Sequence, residues 1–168
     1  KKQNIVININ GNMNNLKIKI KKLSENSILP SYAKLGDAGL DLTAITKEYD
    51  EYGNISYGTG LSFEIPQGYV GLLFPRGSNS KTDLYLTNHV GVLDSGYRGE
   101  VSFKYRNLLT YIKPEDLITN DFKSFKEYAV GDRIGQLIII PYPQIEFEEV
   151  EELSETERGT GAYGSSGN

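Results

Sequence analysis

The sequence predicts an all-β domain, a barrel or sandwich built from short strands. Three observations carry this. Leu16-Lys17-Ile18-Lys19-Ile20-Lys21 alternates apolar and charged residues with period two, the signature of a half-buried strand. Short apolar segments recur along the chain, separated by turns that contain glycine or proline. Arg133 to Ile140 is a nearly unbroken apolar run of strand length, which predicts a strand buried on both faces.

The elements follow in order. Residues 1–15 are rich in asparagine and alternate at Ile5, Ile7 and Ile9; they read as an N-terminal extension ahead of a domain over 16–157. Gly36 to Leu42 is turn-like and leads into Leu42-Thr43-Ala44-Ile45. Ile55 to Ile65 reads as a strand with a turn near Gly58 and Gly60. Pro66-Gln67-Gly68 is a turn. Tyr69 to Phe74 is a strand that stops at Pro75, which has no N–H to give to a ladder. Leu84-Tyr85-Leu86 and Val101-Ser102-Phe103 flank a glycine-bounded loop. Residues 108–127 break the rhythm and read as an insertion, with a short helix expected to open at Lys113-Pro114-Glu115-Asp116-Leu117. Gly131-Asp132 is a turn before the long apolar strand. Glu146 to Glu157 contains seven glutamates and reads as a solvated linker. Residues 158–168 hold four glycines and no aliphatic side chain larger than alanine, so they predict a flexible arm rather than core.

Composition removes several classes of function. The 168 residues suit one domain with a real core. Cysteine is absent, which excludes disulfides, a thiolate nucleophile and a Cys-based zinc site. His89 is the sole histidine, so one subunit cannot supply a multi-histidine metal site, and no strand-elbow serine accompanies it to make a triad. It reads as a packed or exposed turn residue. A net charge of −4 argues against a duplex nucleic-acid partner. The run Leu137 to Ile140 is far too short to span a bilayer, and no apolar signal region follows the N-terminal lysines. A soluble, intracellular, cytoplasmic protein with no membrane partner is the expectation. Four of the five arginines sit in glycine-rich or turn-like settings, and the guanidinium fork suits phosphate.

The segment Gly91-Val92-Leu93-Asp94-Ser95-Gly96-Tyr97-Arg98-Gly99-Glu100 places a carboxylate and a phenol in one short loop between glycines. It reads as a hairpin-like corner in which glycine supplies positive φ and close backbone approach. Such a loop can hold a flat ligand against its backbone, aim Asp94 at a reacting centre and set Tyr97 against a ring. This run resembles the third signature motif of the trimeric all-β dUTP pyrophosphatases (dUTPases). Four further segments resemble the other motifs in the same order, from residue 29 to residue 167: Leu29 to Ala44, Pro75 to Thr82, Gly131 to Ile138, and Arg158 to Gly167.

The resemblance implies a distorted β-barrel or jelly-roll-like (β-clip) subunit with a mobile C-terminal arm. It implies a homotrimer whose sites are shared, the third motif coming from one neighbour and the arm from another. The implied reaction is hydrolysis of dUTP to dUMP and pyrophosphate with Mg2+, which limits uracil in DNA and supplies dUMP for dTMP synthesis. Asp94 matches the general base; a carboxylate is ionised at neutral pH and can take a proton from an attacking water. Gln136 matches the glutamine that positions phosphate and water. Asp41 matches the aspartate that contacts magnesium through water, the metal being held mainly by substrate phosphates. Arg76 and Ser78 fall in the phosphate loop, where Gly77 stands in place of the family's usual serine. Backbone N–H groups there, with Ser78 or Ser80, can still bind phosphate. Asn88, Val92 and Leu93 match the backbone that reads the uracil edge. Tyr97 matches the ring that packs on deoxyribose and leaves no room for a 2′-hydroxyl. In the arm, Arg158 would reach the γ-phosphate, Tyr163 would stack on uracil, and Gly164, Ser165 and Ser166 would offer N–H and hydroxyl donors. Arg98, Asp132 and Arg133 read as bracing or interface residues.

Two other readings use the same fold. The related dCTP deaminases carry a catalytic glutamate a few residues past the hairpin; Lys104 occupies that position here, and a lysine cannot replace a proton-shuttling carboxylate. A nucleotide-sensing or protein-binding regulator would use the 108–127 insertion as its partner surface. Retention of Asp94, Tyr97, Gln136 and Arg158 favours the enzyme.

Overall fold

The computed structural model describes residues 16–107 and 126–162. The described residues form ten strands and one short 3-10 turn. The strands are β1 (Lys19–Lys22), β2 (Leu40–Thr43), β3 (Thr46–Tyr49), β4 (Asn54–Gly58), β5 (Leu61–Glu64), β6 (Tyr69–Phe74), β7 (Leu84–Leu86), β8 (Gly91–Leu93), β9 (Ser102–Asn107) and β10 (Arg133–Pro141). The 3-10 turn covers Gly77–Lys81. The all-β expectation holds. The insertion, its expected helix and the 1–15 extension lie outside the described residues, apart from the insertion's last two positions.

Two four-stranded antiparallel sheets carry the fold. One has the order β2-β10-β6-β8, the other β3-β4-β9-β7, and β1 pairs with β5 in a separate ribbon. Alternation explains the packing: on β9, Phe103 and Tyr105 point into the core while Ser102 and Lys104 face out. The core is Leu42, Ile55, Tyr57, Leu61, Phe103, Tyr105, Ile134 and Leu137, each at most 2% exposed. Tyr57, Tyr105 and Tyr128 meet there edge to face, with ring centroids 5.6 to 6.0 Å apart. Burial pushes the Tyr57 phenol up to about 12.

β10 is one of the two inner strands of its sheet, and its register with β2 carries an irregularity. Arg133 pairs with Thr43, but Gly135 pairs with Leu42, so Ile134 is an extra residue, a β-bulge. The Tyr105 hydroxyl donates to the Ile134 carbonyl at 2.6 Å. The bulge also changes facing. Residues 133 and 136 would point to opposite sides of a regular strand. Here Arg133 lies opposite Thr43 and Gln136 opposite Asp41, so both share the face of β2 that carries Asp41.

The strands that flank the glycine-bounded loop, β7 and β9, pair antiparallel, as the hairpin-like reading expects; β8, inside that loop, joins the other sheet, and the turn at residues 87–90 carries the chain across. One expectation is corrected. Burial of β10 on both faces holds at Ile134 and Leu137 but not at Ile140, which is 39% exposed near the strand's end. Among the described residues no helix is long and apolar enough to cross a membrane.

Candidate active site

Asp41 is the hub of one polar cluster. It sits on β2, directly across from Gln136 on β10, which in turn lies across from Phe74 on β6. The chain leaves β6 at Pro75, so Arg76 emerges beside the same ladder. Arg76 Nε donates to Asp41 Oδ1 at 2.6 Å and Nη2 to Oδ2 at 3.3 Å. Arg133 Nη1 donates to Oδ2 at 2.8 Å. Gln136 Nε2 donates to the Pro75 carbonyl at 3.0 Å, fixing the amide beside the loop. Two arginines around one carboxylate leave net positive charge on a half-buried surface, a setting that suits a phosphate chain.

Gly39 completes this cluster and was not marked by sequence reasoning as a site residue. A Cβ at this position would run into the Gln136 amide. The glycine therefore makes room for the side chain that the ladder presents. The role of Arg133 was also underestimated, because its contact with Asp41 depends on the bulge.

The 3-10 turn follows Arg76. Arg76 Nη1 donates to Ser78 Oγ at 3.2 Å. Gly77 adopts no left-handed backbone, and a Cβ there would meet nothing within 4 Å. A side chain is sterically permitted, so Gly77 reflects no packing need.

The second group of residues lies in the loop that crosses from β8 to β9. Asp94 is exposed at the end of β8, and its carbonyl accepts from Tyr97 N at 3.0 Å, closing a turn. The Tyr97 ring folds back over Gly99, where any Cβ would strike it, and its hydroxyl donates to the Glu100 carbonyl at 3.0 Å. Tyr97 nevertheless stays 46% exposed. Arg98 braces the loop by donating to the Ser95 and Tyr97 carbonyls. The expected positive φ is absent at Gly91, Gly96 and Gly99; close approach is what Gly99 provides. The left-handed residue is instead His89, at φ 60°, in the turn before β8. Asn88 and Val92 are exposed on this segment and Leu93 is buried.

The two groups do not meet within one chain. Leu93 lies opposite Gly71, whereas Gln136 lies opposite Phe74 on the same strand. Asp94 continues in the direction away from Phe74. At the usual strand rise and spacing, Asp94 and Gln136 are displaced by about 10 Å or more along the sheet and about 10 Å across it. Arg158 is in neither group: it is exposed, and its Nε donates to the Gly161 carbonyl at 3.0 Å. Tyr163, Gly164, Ser165 and Ser166 lie outside the described residues. Lys104 pairs with Asp50 at 3.3 Å on the outer face of its sheet.

The motif order agrees with comparison to known proteins. The family model described as dUTPase matches residues 25–167. The chain belongs to the dUTPase family. Among curated dUTPase relatives, the deoxyuridine 5'-triphosphate nucleotidohydrolase of Rhodococcus erythropolis is 39% identical over 154 residues, covering 90% of this chain and 87% of its own. The dUTPase of Staphylococcus bacteriophage 80alpha, solved with dUpNHpp, aligns with a TM-score of 0.72 at 31% identity, over 90% of this chain and 99% of its own. A variant dUTPase from phage phi11 of S. aureus, described with a coordinated structural Mg(II) ion, aligns with a TM-score of 0.62 at 30% identity, over 82% of this chain and 98% of its own. The all-β architecture is that of the dUTPase fold.

Proposed function

We propose that the chain hydrolyses dUTP to dUMP and pyrophosphate as a homotrimer with shared sites. The carrying observation is the separation just described. Asp94 with Tyr97 and Asp41 with Arg76 and Gln136 are each well formed, yet one chain keeps them apart. A neighbour that brings its Asp94 loop to this chain's Arg76–Gln136 cluster completes a site. Unburied apolar side chains support assembly: Ile145, Phe147 and Leu153, beyond β10, are 71%, 92% and 86% exposed on a single chain.

In this reading Asp94 orients a water and takes its proton as the oxygen attacks the α-phosphorus. The bond between that phosphorus and the α,β-bridging oxygen breaks, and pyrophosphate leaves. Gln136 and the backbone of the Gly77–Lys81 turn hold the phosphates in line, and Arg76 and Arg133 offset their charge. The exposed part of Tyr97 takes the deoxyribose. Residues 158–168 form an arm that closes over the nucleotide and excludes water. Mg2+ fits this donor set through water: both Asp41 oxygens already accept from arginine, and their remaining lone pairs can accept from metal-bound water. When bound, the metal would neutralise charge on the triphosphate. The reading makes the protein a producer of dUMP and a guard against uracil in DNA.

The test is to incubate the purified protein and magnesium with dUTP, dCTP, dTTP and UTP separately and follow the products. Pyrophosphate and dUMP from dUTP alone are expected. Deamination of dCTP would replace the reading with the sister activity, and binding of dUTP without turnover would replace it with a sensor.

A further inference from the structure

Tyr128 lies in none of the five motifs, yet its hydroxyl ends in the phosphate loop. The residue is 6% exposed and follows directly on the 108–127 insertion. Its OH donates to Asn79 Oδ1 at 3.2 Å, and the Ser78 hydroxyl and the Arg76 guanidinium border the same phenol. Its own carbonyl accepts from the Tyr57 hydroxyl at 3.0 Å, and its ring packs edge-on against Tyr57 and Tyr105. The strand entry beside it is tied down too. Asp83 N donates to the Lys126 carbonyl at 3.0 Å, and Lys126 N donates to Asp83 Oδ2 at 2.9 Å. The Glu127 carboxylate accepts from Lys47 Nζ at 2.8 Å and from the Tyr49 hydroxyl at 2.7 Å.

The turn that Tyr128 reaches is otherwise held by bonds local to it: Ser80 Oγ donates to the Gly77 carbonyl at 2.8 Å and Thr82 Oγ1 to the Asn79 carbonyl at 2.8 Å. No side chain caps its start, and Gly77, at its first position, contributes neither a side chain nor backbone restriction. Asn79 is the fastening point. Its Nδ2 donates to the Leu84 carbonyl at 2.8 Å, while its Oδ1 accepts from the Tyr128 hydroxyl, a partner from outside the turn, and from Thr82 Oγ1, each at 3.2 Å. Ser78 and Arg76, the side chains read as phosphate-binding above, lie one and three residues before this point in the chain.

We propose that Tyr128 is a positioning residue for the phosphate loop, fixing the Gly77–Lys81 turn through Asn79 and thereby aiming Ser78 and Arg76. The proposal rests on the phosphate-binding reading of that turn but concerns a residue outside it. Burial raises the Tyr128 phenol above its ordinary range, so it stays a donor through neutral pH. The arrangement also gives the glycine at position 77 a physical partner: a buried phenol restrains from the core what the backbone leaves free.

Tyr128→Phe removes one hydroxyl and keeps the buried ring. Two measurements on the full chain decide the matter. Hydrogen exchange should speed up roughly five- to tenfold at the Asn79 and Thr82 amides, whose bonds close the turn, with the 86–94 segment unchanged. Affinity for the imido analogue dUpNHpp should fall by a similar factor while affinity for dUMP stays within about twofold. Adding Gly77→Ala in the same chain should restore part of both by restricting the backbone. Unchanged exchange at the turn would overturn the proposal, as would an equal loss for dUpNHpp and dUMP, which marks general destabilisation. A wild-type protein that neither binds nor hydrolyses dUTP would sink the functional reading alone; the exchange rates would still decide the role of Tyr128.

Discussion

Asp41 and Gln136 face each other directly across the β2–β10 ladder, and the amide that meets this carboxylate's strand is seated where Gly39 has no side chain. The relationship ties three parts of the sequence to one point: the first motif, the end of β6 and the fourth motif.

Gly39→Ala tests this seating. The added methyl displaces the Gln136 amide, the end of a flexible side chain, so the fold survives. Turnover of dUTP should fall about tenfold. Gly39→Ala with Gln136→Ala should cost no more than Gln136→Ala alone, as expected of residues acting as one unit. Steady-state kinetics on the three variants reads this directly.

Asp94→Asn should lower kcat by about a hundred- to ten-thousandfold, the usual range for losing a general base. Binding of dUpNHpp should persist, because the substitution keeps size and polarity. Turnover within a few fold of wild type would remove Asp94 from the base role.

Gly77→Ser should fold with unchanged thermal stability, since the site is open and its backbone is not left-handed. The hydroxyl adds one donor beside the phosphates, and kcat/KM should rise by about three- to tenfold. A fall would mean that the turn uses the glycine's freedom.

Acid stability should depend on Asp50. Its carboxylate accepts from the Asn54 side chain at 2.9 Å and from the Asn54 and Tyr52 amides, with Lys104 alongside. These bonds lower its pKa from 3.8 to about 2. A depressed carboxylate stabilises above its unfolded pKa and loses that contribution as pH falls through the folded value. The Tm difference between wild type and Asp50→Asn should therefore be full above about pH 4 and close as pH approaches 2. Thermal melts across that window measure it.

Alkaline titration gives a matching test at the other end. Tyr57 is raised to about 12 by burial, so its contribution is present below the ordinary value of 10.0 and lost as pH rises through about 12. Phenolate absorbance should show Tyr57 ionising only near pH 12, with loss of tertiary structure, and the stability gap between wild type and Tyr57→Phe should be full below about pH 10 and close as pH approaches 12.

Local pattern made most strands legible. Tyr69–Phe74 lies between a Pro-Gln-Gly turn and Pro75, and its bounds could be read because both punctuators act on the backbone nearby. Asp94, Tyr97 and Gln136 stood out because their motifs are contiguous. What escaped depends on distance in sequence. Arg133 reaches Asp41 across 92 positions, and only because Ile134 bulges. The pairing of Leu84–Leu86 with the strand after the loop follows from the hairpin-like pattern, but nothing local shows that β8, inside that loop, joins the other sheet. Tyr128 carries no local signal at all; a tyrosine before a turn is ordinary until the fold sets Asn79 beside it.

The distance between Asp94 and Gln136 in one chain also bears on inheritance. In the proposed shared-site trimer, a chain lacking Asp94 and another lacking Gln136 would each be inert alone, but mixed assemblies would contain sites that draw the intact residue from each. Two defective copies can then restore activity together. By the same logic, a damaged copy in excess would dilute the working sites of a healthy one, so harm would scale with relative expression as well as with the lesion.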